Sequence, residues 1–268
     1  MGPGFCRLKA HFTFGCWKTF KDKYSNRGPI TMFLNELAEP QLLVIYPGRF
    51  QPFHKGHHAV YKWLCGKYGT NNVYIATSNK TDALKSPFTF AEKSYFMQLT
   101  GVPADRIVQA SSPYNIQNIL SGGHITVADP KRTVVIFAVS QKDMAEDPRF
   151  QSWTKKDGSP AYFQQLPKDI RQTKDMNEHG YILVAPTFDF TVLGQPMTDG
   201  TTLRKMYSDS DEKTRQRIIA DLFGRYTQEA EQIMNLKLPA TQPAEDPAAL
   251  PNKTKLQKVK VPKAEPVQ

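Results

Sequence analysis

Apolar residues follow two alternating rhythms along this chain. Residues 42–47, Leu-Leu-Val-Ile-Tyr-Pro, form an unbroken apolar run closed by Gly48, as expected of a strand covered on both faces. Val60, Trp63, Leu64 and Tyr68 then recur at helical spacing, which predicts a helix over 57–67 ended by Gly66 or Gly69. Val73 to Ser78 reads as a second strand, and Thr89 followed three residues later by Glu92 is a capping box opening a helix that runs to Leu99. Arg106–Gln109 predicts a short strand, Thr133–Val139 a strong one and Tyr181–Pro186 another buried run. From Asp209 onward, Ile218, Ile219, Leu222, Phe223, Tyr226, Ile233 and Met234 mark amphipathic helices that close the domain.

Strands that alternate with helices build parallel βαβ units, so the expected fold is α/β, a Rossmann-like doubly wound parallel sheet with C-terminal helices and disordered ends. The expected organisation is a basic N-terminal extension over 1–31, one domain over 32–236 and a Pro/Lys-rich tail over 237–268. Six prolines between Pro239 and Pro266, set among Lys, Gln and Ala, cannot bury enough apolar surface to fold. Met32 opens the segment that leads into the first strand and is the expected natural start, with an organelle leader as the competing reading of 1–31.

Charge changes the picture only at the ends. The chain holds 35 Lys+Arg against 25 Asp+Glu, a formal +10 that favours phosphate-bearing partners. Residues 1–31 carry six Lys/Arg against Asp22 alone, and 237–268 carry six Lys against three acids, so the middle is almost neutral. The core is not expected to bind nucleic acid, whereas the basic ends could. Cys6, Cys16 and Cys65 lack the close spacing of a zinc site or a redox dithiol, and read as reduced thiols of a cytoplasmic protein. No apolar run approaches membrane-spanning length, so no membrane partner is expected.

The chemistry gathers in Gly48-Arg49-Phe50-Gln51-Pro52-Phe53-His54-Lys55-Gly56-His57, between the first strand and the first helix. Open α/β sheets bind ligands at the carboxyl ends of strands, and this loop has that address. Two histidines at spacing three can approach one ligand, Gly56 lets the backbone come near, and the following helix presents amide protons and a positive dipole end. Such donors suit a polyphosphate whose charge grows in a transition state. A second cluster, Asp199-Gly200-Thr201-Thr202-Leu203-Arg204-Lys205, opens a later helix, which Thr201 is expected to cap, with Arg204 one turn on. Zinc is not expected at His54, His57 and His58, since no cysteine or paired carboxylate completes four ligands, and no protein metal site is expected. Trp153, Asp143 and Lys142, near the strand at 133–139, could contact a base or ribose or serve as packing and solvated loop.

Strand, HxGH loop and distal (S/T)xxR helix resemble the HIGH-type nucleotidyltransferase superfamily, and Gly-Arg-Phe-Gln-Pro-Phe-His-Lys-Gly-His is particularly similar to archaeal-type nicotinamide mononucleotide adenylyltransferases. The likeness covers about residues 42–208, and takes in Lys85-Ser86-Pro87-Phe88-Thr89-Phe90-Ala91-Glu92-Lys93 and Gly200-Thr201-Thr202-Leu203-Arg204. It implies a nucleotidyltransferase that moves AMP from ATP to nicotinamide mononucleotide, releases pyrophosphate and so makes NAD. His54, His57 and Arg204 would be catalytic, and Gly48, Arg49, Phe50, Gly56, Lys85, Thr201 and Thr202 would hold ATP and its phosphates. Mg²⁺ would ride on the nucleotide. The partners are then ATP and a phosphorylated small-molecule acceptor, and a homo-oligomer is the expected assembly. Three positions depart from the pattern: Lys85 replaces an arginine, Asp199 stands where Ser is typical, and Gln195 replaces another arginine.

Two rival readings keep the loop. A cytidylyltransferase or pantetheine-phosphate adenylyltransferase would use it on another acceptor, and an aminoacyl-tRNA synthetase fragment would pair it with Lys205-Met206-Tyr207-Ser208. A third reading, a nucleotide-binding regulator without turnover, is opposed by intact His54, His57 and Arg204.

Overall fold

Leu43 to Pro47 have no polar face to offer water, and the chain buries every one of them in its first strand, β1 (Gln41–Pro47). The computed structural model describes residues 40–147, 150, 153–197 and 199–240. The expected extension over 1–31, Met32, Cys6, Cys16 and the tail beyond 240 lie outside the described residues. After β1 come α1 (Lys55–Tyr68), β2 (Val73–Thr77), α2 (Phe90–Leu99), β3 (Ile107–Gln109), α3 (Ile116–Leu120), β4 (Thr133–Val139) and α4 (Gln141–Glu146). The chain continues through β5 (Phe163–Gln165), β6 (Gly180–Val184), β7 (Thr191–Val192), β8 (Gln195–Pro196), α5 (Gly200–Ser208), α6 (Glu212–Phe223) and α7 (Gln228–Lys237). Six strands share one sheet in the order β3-β2-β1-β4-β6-β5. The registered pairs β1–β4, β2–β3, β4–β6 and β5–β6 are all parallel, so the Rossmann-like expectation holds.

Close contacts group the described residues into two compact units, one of 40–46, 64–74 and 125–185, the other of 47–63, 75–124 and 186–240. In the first, β4 is buried at all seven positions and pairs Leu43 with Val135 on one side and Phe137 with Ile182 on the other. Strand β5 extends this sheet beside β6; its three residues are too few to show a period, and the sequence did not predict it. The second unit holds the β2–β3 pair, in which Ile75 lies opposite Ile107. The predicted capping box of α2 forms in full, with Glu92 N–H on the Thr89 side chain and Thr89 N–H on the Glu92 carboxylate. Phe96 of α2 stacks on Phe223 of α6 at 4.6 Å, and Glu92 pairs with Lys237 of α7 at 3.3 Å.

The order of strands reverses between β1 and β4, and Pro47 at the carboxyl end of β1 runs directly into the loop over 48–54. The loop therefore occupies the address at which open α/β sheets bind ligands. No helix among the described residues is long and apolar enough to cross a membrane.

Candidate functional site

The loop over 48–54 is built tightly before it meets any ligand. Gly48 N–H donates to Ala76 O of β2 at 3.1 Å, and a Cβ on Gly48 would stand 2.6 Å from the Phe50 ring. Phe50 takes φ 48° and is only 5% exposed, with its ring edge-on to Phe53 at 5.3 Å and to His57 at 5.1 Å. Its side chain is therefore a wall behind His57, and what it can offer a phosphate is backbone. Gln51, 9% exposed, binds the Phe88 backbone twice: Nε2 donates to Phe88 O at 3.2 Å and Oε1 accepts from Phe88 N–H at 2.9 Å. That pair imitates a rung of sheet and staples the loop to the Pro87-Phe88-Thr89 stretch. The Gln51–Pro52 peptide bond is cis.

The two predicted histidines stand together. The His54 and His57 rings stack with centroids 3.8 Å apart and planes 30° from parallel. Gly56 N–H donates to Nδ1 of His54 at 3.2 Å, which puts the proton of a neutral ring on Nε2. A third ring, Phe190, stacks on His54 at 4.1 Å and 24°. Gly56 makes room for it, since a Cβ there would lie 2.8 Å from the Phe190 ring. Both residues are half-buried, and protein crowds both rings closely. Desolvation, then the neighbouring His57 and Lys55, hold His54 well below the usual histidine range, and desolvation pulls His57 down to about 4. Near neutral pH both rings are uncharged donors. Nδ1 of His57 is buried and has no hydrogen-bond partner among the described residues.

Arg204 draws the second cluster to the first. Its Nη1 donates to Gln51 O at 2.9 Å, and its Nη2 to Leu84 O at 3.3 Å and to Thr201 Oγ1 at 3.2 Å. One guanidinium thus ties together the HxGH loop, the turn that carries exposed Lys85, and the start of α5. Burial and the nearby Arg49 lower the pKa of Arg204, while Asp199 opposes them. Arg49 itself is exposed. The expectation that Thr201 caps α5 is corrected: Asp199 is the N-cap, and its carboxylate accepts from Thr201 N–H at 2.8 Å, Thr202 N–H at 2.9 Å and the Thr202 hydroxyl at 2.8 Å. Those donors are already engaged by an internal anion, so what this end of α5 presents to a phosphate is chiefly Arg204 and the Thr201 side chain.

Lys142 and Asp143, open in the sequence between base or ribose contact and packing or solvated loop, are both engaged within their own helix. Asp143 closes a capping box with Ser140 at the start of α4, and Lys142 pairs with Glu146 at 3.9 Å. The Trp153 carbonyl accepts from Ala161 N–H and from Gln164 Nε2, both at 2.8 Å, as a turn residue does. No group of three or more possible metal ligands occurs among the described residues. The predicted residues His54, His57, Arg49, Lys85 and Arg204 are all donors or cations, the kinds of group that can hold an oxyanion.

Residues 45–153 match the Cytidylyltransferase-like family, a span that contains the HxGH loop and the Pro-Phe-Thr stretch and stops short of Arg204. The chain resembles HIGH-type nucleotidyltransferases, and archaeal nicotinamide mononucleotide adenylyltransferases in particular. It is 41% identical over 49 residues to a nicotinamide-nucleotide adenylyltransferase of Sulfurisphaera tokodaii, covering 18% of this chain and 28% of that one. It is 30% identical over 95 residues to the enzyme of that name from Saccharolobus solfataricus, covering 34% of this chain and 55% of that one. The matched stretches thus span between about a quarter and about a half of these curated relatives. Among solved structures, a bifunctional NMN adenylyltransferase/ADP ribose pyrophosphatase from Francisella tularensis aligns over 66% of this chain and 44% of its own, at 14% identity and a TM-score of 0.37.

Proposed function

We propose that the chain is a nucleotidyltransferase that moves AMP from ATP, taken as its Mg²⁺ complex, to nicotinamide mononucleotide with release of pyrophosphate. The observation that carries this reading is the stacked His54–His57 pair beside Arg204: Nδ1 of His54 is engaged by Gly56 N–H, leaving Nε2 as the donor toward a phosphate oxygen. An oxygen of the acceptor phosphate attacks the α-phosphorus of ATP, the bond to the bridging β-phosphate oxygen breaks, and pyrophosphate departs with the electron pair. No general base is required, because the second pKa of a phosphate monoester is about 6. Neutral imidazole N–H groups meet charge growing on the α-phosphate, and Arg204, Arg49 and Lys85 balance the rest of the polyphosphate. Preorganised donors of this kind are worth about 3 to 4 kcal/mol each in a water-poor site. Magnesium arrives on the nucleotide, as it commonly does, and needs no protein cage.

A second reading, transfer of CMP to a phosphorylated alcohol, is favoured by the family match over 45–153 and uses the same loop. Departures at Gln195, where an arginine is lost, and at Asp199, an acid at the start of α5, bear on the acceptor, because each lowers the positive charge available to a phosphate. Incubation of the purified protein with single nucleoside triphosphates, Mg²⁺ and either acceptor, followed by pyrophosphate release and product mass, separates the readings. NAD formed from ATP and nicotinamide mononucleotide is the expected result. A cytidylylated product supports the second reading, and tight ATP binding without pyrophosphate from any pair overturns both.

A further inference from the structure

We propose that Phe190, which lies outside every motif named above, is a positioning residue of this reaction: its ring is the fixed surface that holds the His54 imidazole in its donating orientation. The inference rests on the nucleotidyltransferase reading for its consequence in rate, though its geometric part is independent of it. His54 has His57 at 3.8 Å and Phe190 at 4.1 Å, both within 30° of parallel, so the two flanking rings must take opposite faces. The contact that Gly56 makes with Nδ1 is long, at 3.2 Å, and a single long hydrogen bond leaves an imidazole free to rock about χ2. Walls on both faces remove that freedom.

The Phe190 wall is itself anchored. Phe190 O accepts from Met197 N–H at 3.0 Å across the β7–β8 hairpin, and Leu193 N–H in the hairpin turn donates to the Asp221 carboxylate of α6 at 2.8 Å. Phe190 is partly exposed, which is the wrong place for a ring whose purpose is to fill the core. Gly56 is the complementary half of the arrangement, because any Cβ there would strike the Phe190 ring. The charges acting on His54 are those of His57 and Lys55. Phe190 adds none, so removing it acts through hydration and ring freedom.

The test uses the full chain and the substitutions Phe190→Ala, Phe190→Leu and Phe190→Tyr, with folding checked by circular dichroism and thermal melting. Histidine side chains are followed by NMR through a pH titration, and turnover is measured with Mg²⁺, ATP and nicotinamide mononucleotide. In Phe190→Ala the His54 titration moves up toward the ordinary histidine value while His57 moves less. The same variant loses kcat about 10- to 100-fold, the size of effect a small misplacement of a reacting group produces, with KM for ATP changed less. Phe190→Tyr restores both readouts because it restores a planar ring. Phe190→Leu, which fills the space without a flat face and serves if the alanine variant fails to fold, shows an intermediate loss. An unmoved His54 titration together with unchanged kcat in Phe190→Ala or Phe190→Leu overturns the proposal. Should the wild-type protein turn over neither substrate pair, the reading of function fails, while the titration still decides whether Phe190 positions His54.

Discussion

The two ends at which helices meet the site, the start of α1 and the start of α5, look alike in sequence and differ in what they leave open. At α1 a first-turn amide, that of Gly56, donates to Nδ1 of His54, and that bond orients the imidazole. At α5 the carboxylate of Asp199 has taken the amide protons of Thr201 and Thr202 together with the Thr202 hydroxyl. On the proposed function the first end would act through neutral imidazole donors and the second through the cation Arg204, which reaches back to the first through Gln51 O. A helix N-terminus is an anion site only while its amide protons are unclaimed.

The comparison breaks most sharply at His57. Its ring is neutral, stacked and backed by Phe50, so on the proposed function its replacement by alanine should remove a phosphate donor and leave the loop folded. We expect His57→Ala to lower kcat by about 10²- to 10³-fold, as loss of one such donor does elsewhere, with a melting temperature close to wild type. Steady-state pyrophosphate release and a thermal melt check this. Near wild-type turnover would remove the first end from the chemistry.

Neutral rings also carry a cost in acid. His57 has a folded pKa of about 4 against an ordinary 6.5. Above 6.5 both folded and unfolded chains hold it neutral, so it adds nothing to stability. Between 6.5 and about 4 the unfolded chain binds a proton that the folded chain refuses, and stability falls by about 1.4 kcal/mol per pH unit from this residue. His54 shifts in the same direction and steepens the fall. Urea midpoints measured from pH 7 to pH 4.5 should decline over this window, and the decline should be shallower in His57→Asn. Equal slopes in the two proteins would mean that His57 titrates normally.

What was legible in the sequence was local. The strand, the HxGH spacing and the Thr89–Glu92 box each lie within ten residues, and each forms as its pattern requires. The staple from Gln51 to Phe88 joins residues 37 apart and has no periodicity to betray it. Strand β5 is three residues long, and the β7–β8 turn places Leu193 at φ 52° before Gly194 instead of the Asn-Gly that announces such turns. Phe190 sits just ahead of that turn, which is why its place on His54 could not be read. The Ser140–Asp143 box is as local as the Thr89–Glu92 one, with Asp in place of Glu at its third position, whereas Asp199 and Thr201 are both acceptable caps and their spacing alone does not choose between them.

Gln51 measures how far the two ends depend on one another, since its side chain holds the Phe88 backbone while its carbonyl receives Arg204. Gln51→Leu keeps the bulk and removes both side-chain bonds, leaving Phe88 N–H and O unpaired in a buried place. Stability should fall by about 1 to 3 kcal/mol, read as a lowered urea midpoint at unchanged slope. A loss of less than about 0.5 kcal/mol, within the range of ordinary surface changes, would mean that water replaces the staple and that the loop is not fixed by it.

The smallest effect concerns Asp199, and it separates the two helix ends most directly. Serine at this position still caps α5, because its hydroxyl can accept from Thr202 N–H, so helix stability should change by less than about 1 kcal/mol. What disappears is a negative charge whose field reaches Arg204 and which holds two amide protons. An incoming triphosphate no longer meets a like charge at α5, and Arg204 has one anion fewer to share. Asp199→Ser should therefore bind ATP about three- to tenfold more tightly, a change of about 0.7 to 1.4 kcal/mol, measured by calorimetry at low ionic strength and shrinking as salt rises. Unchanged or weaker binding would show that the phosphates never approach the start of α5, and the histidine end would then carry the triphosphate with only the reach of Arg204 to help it.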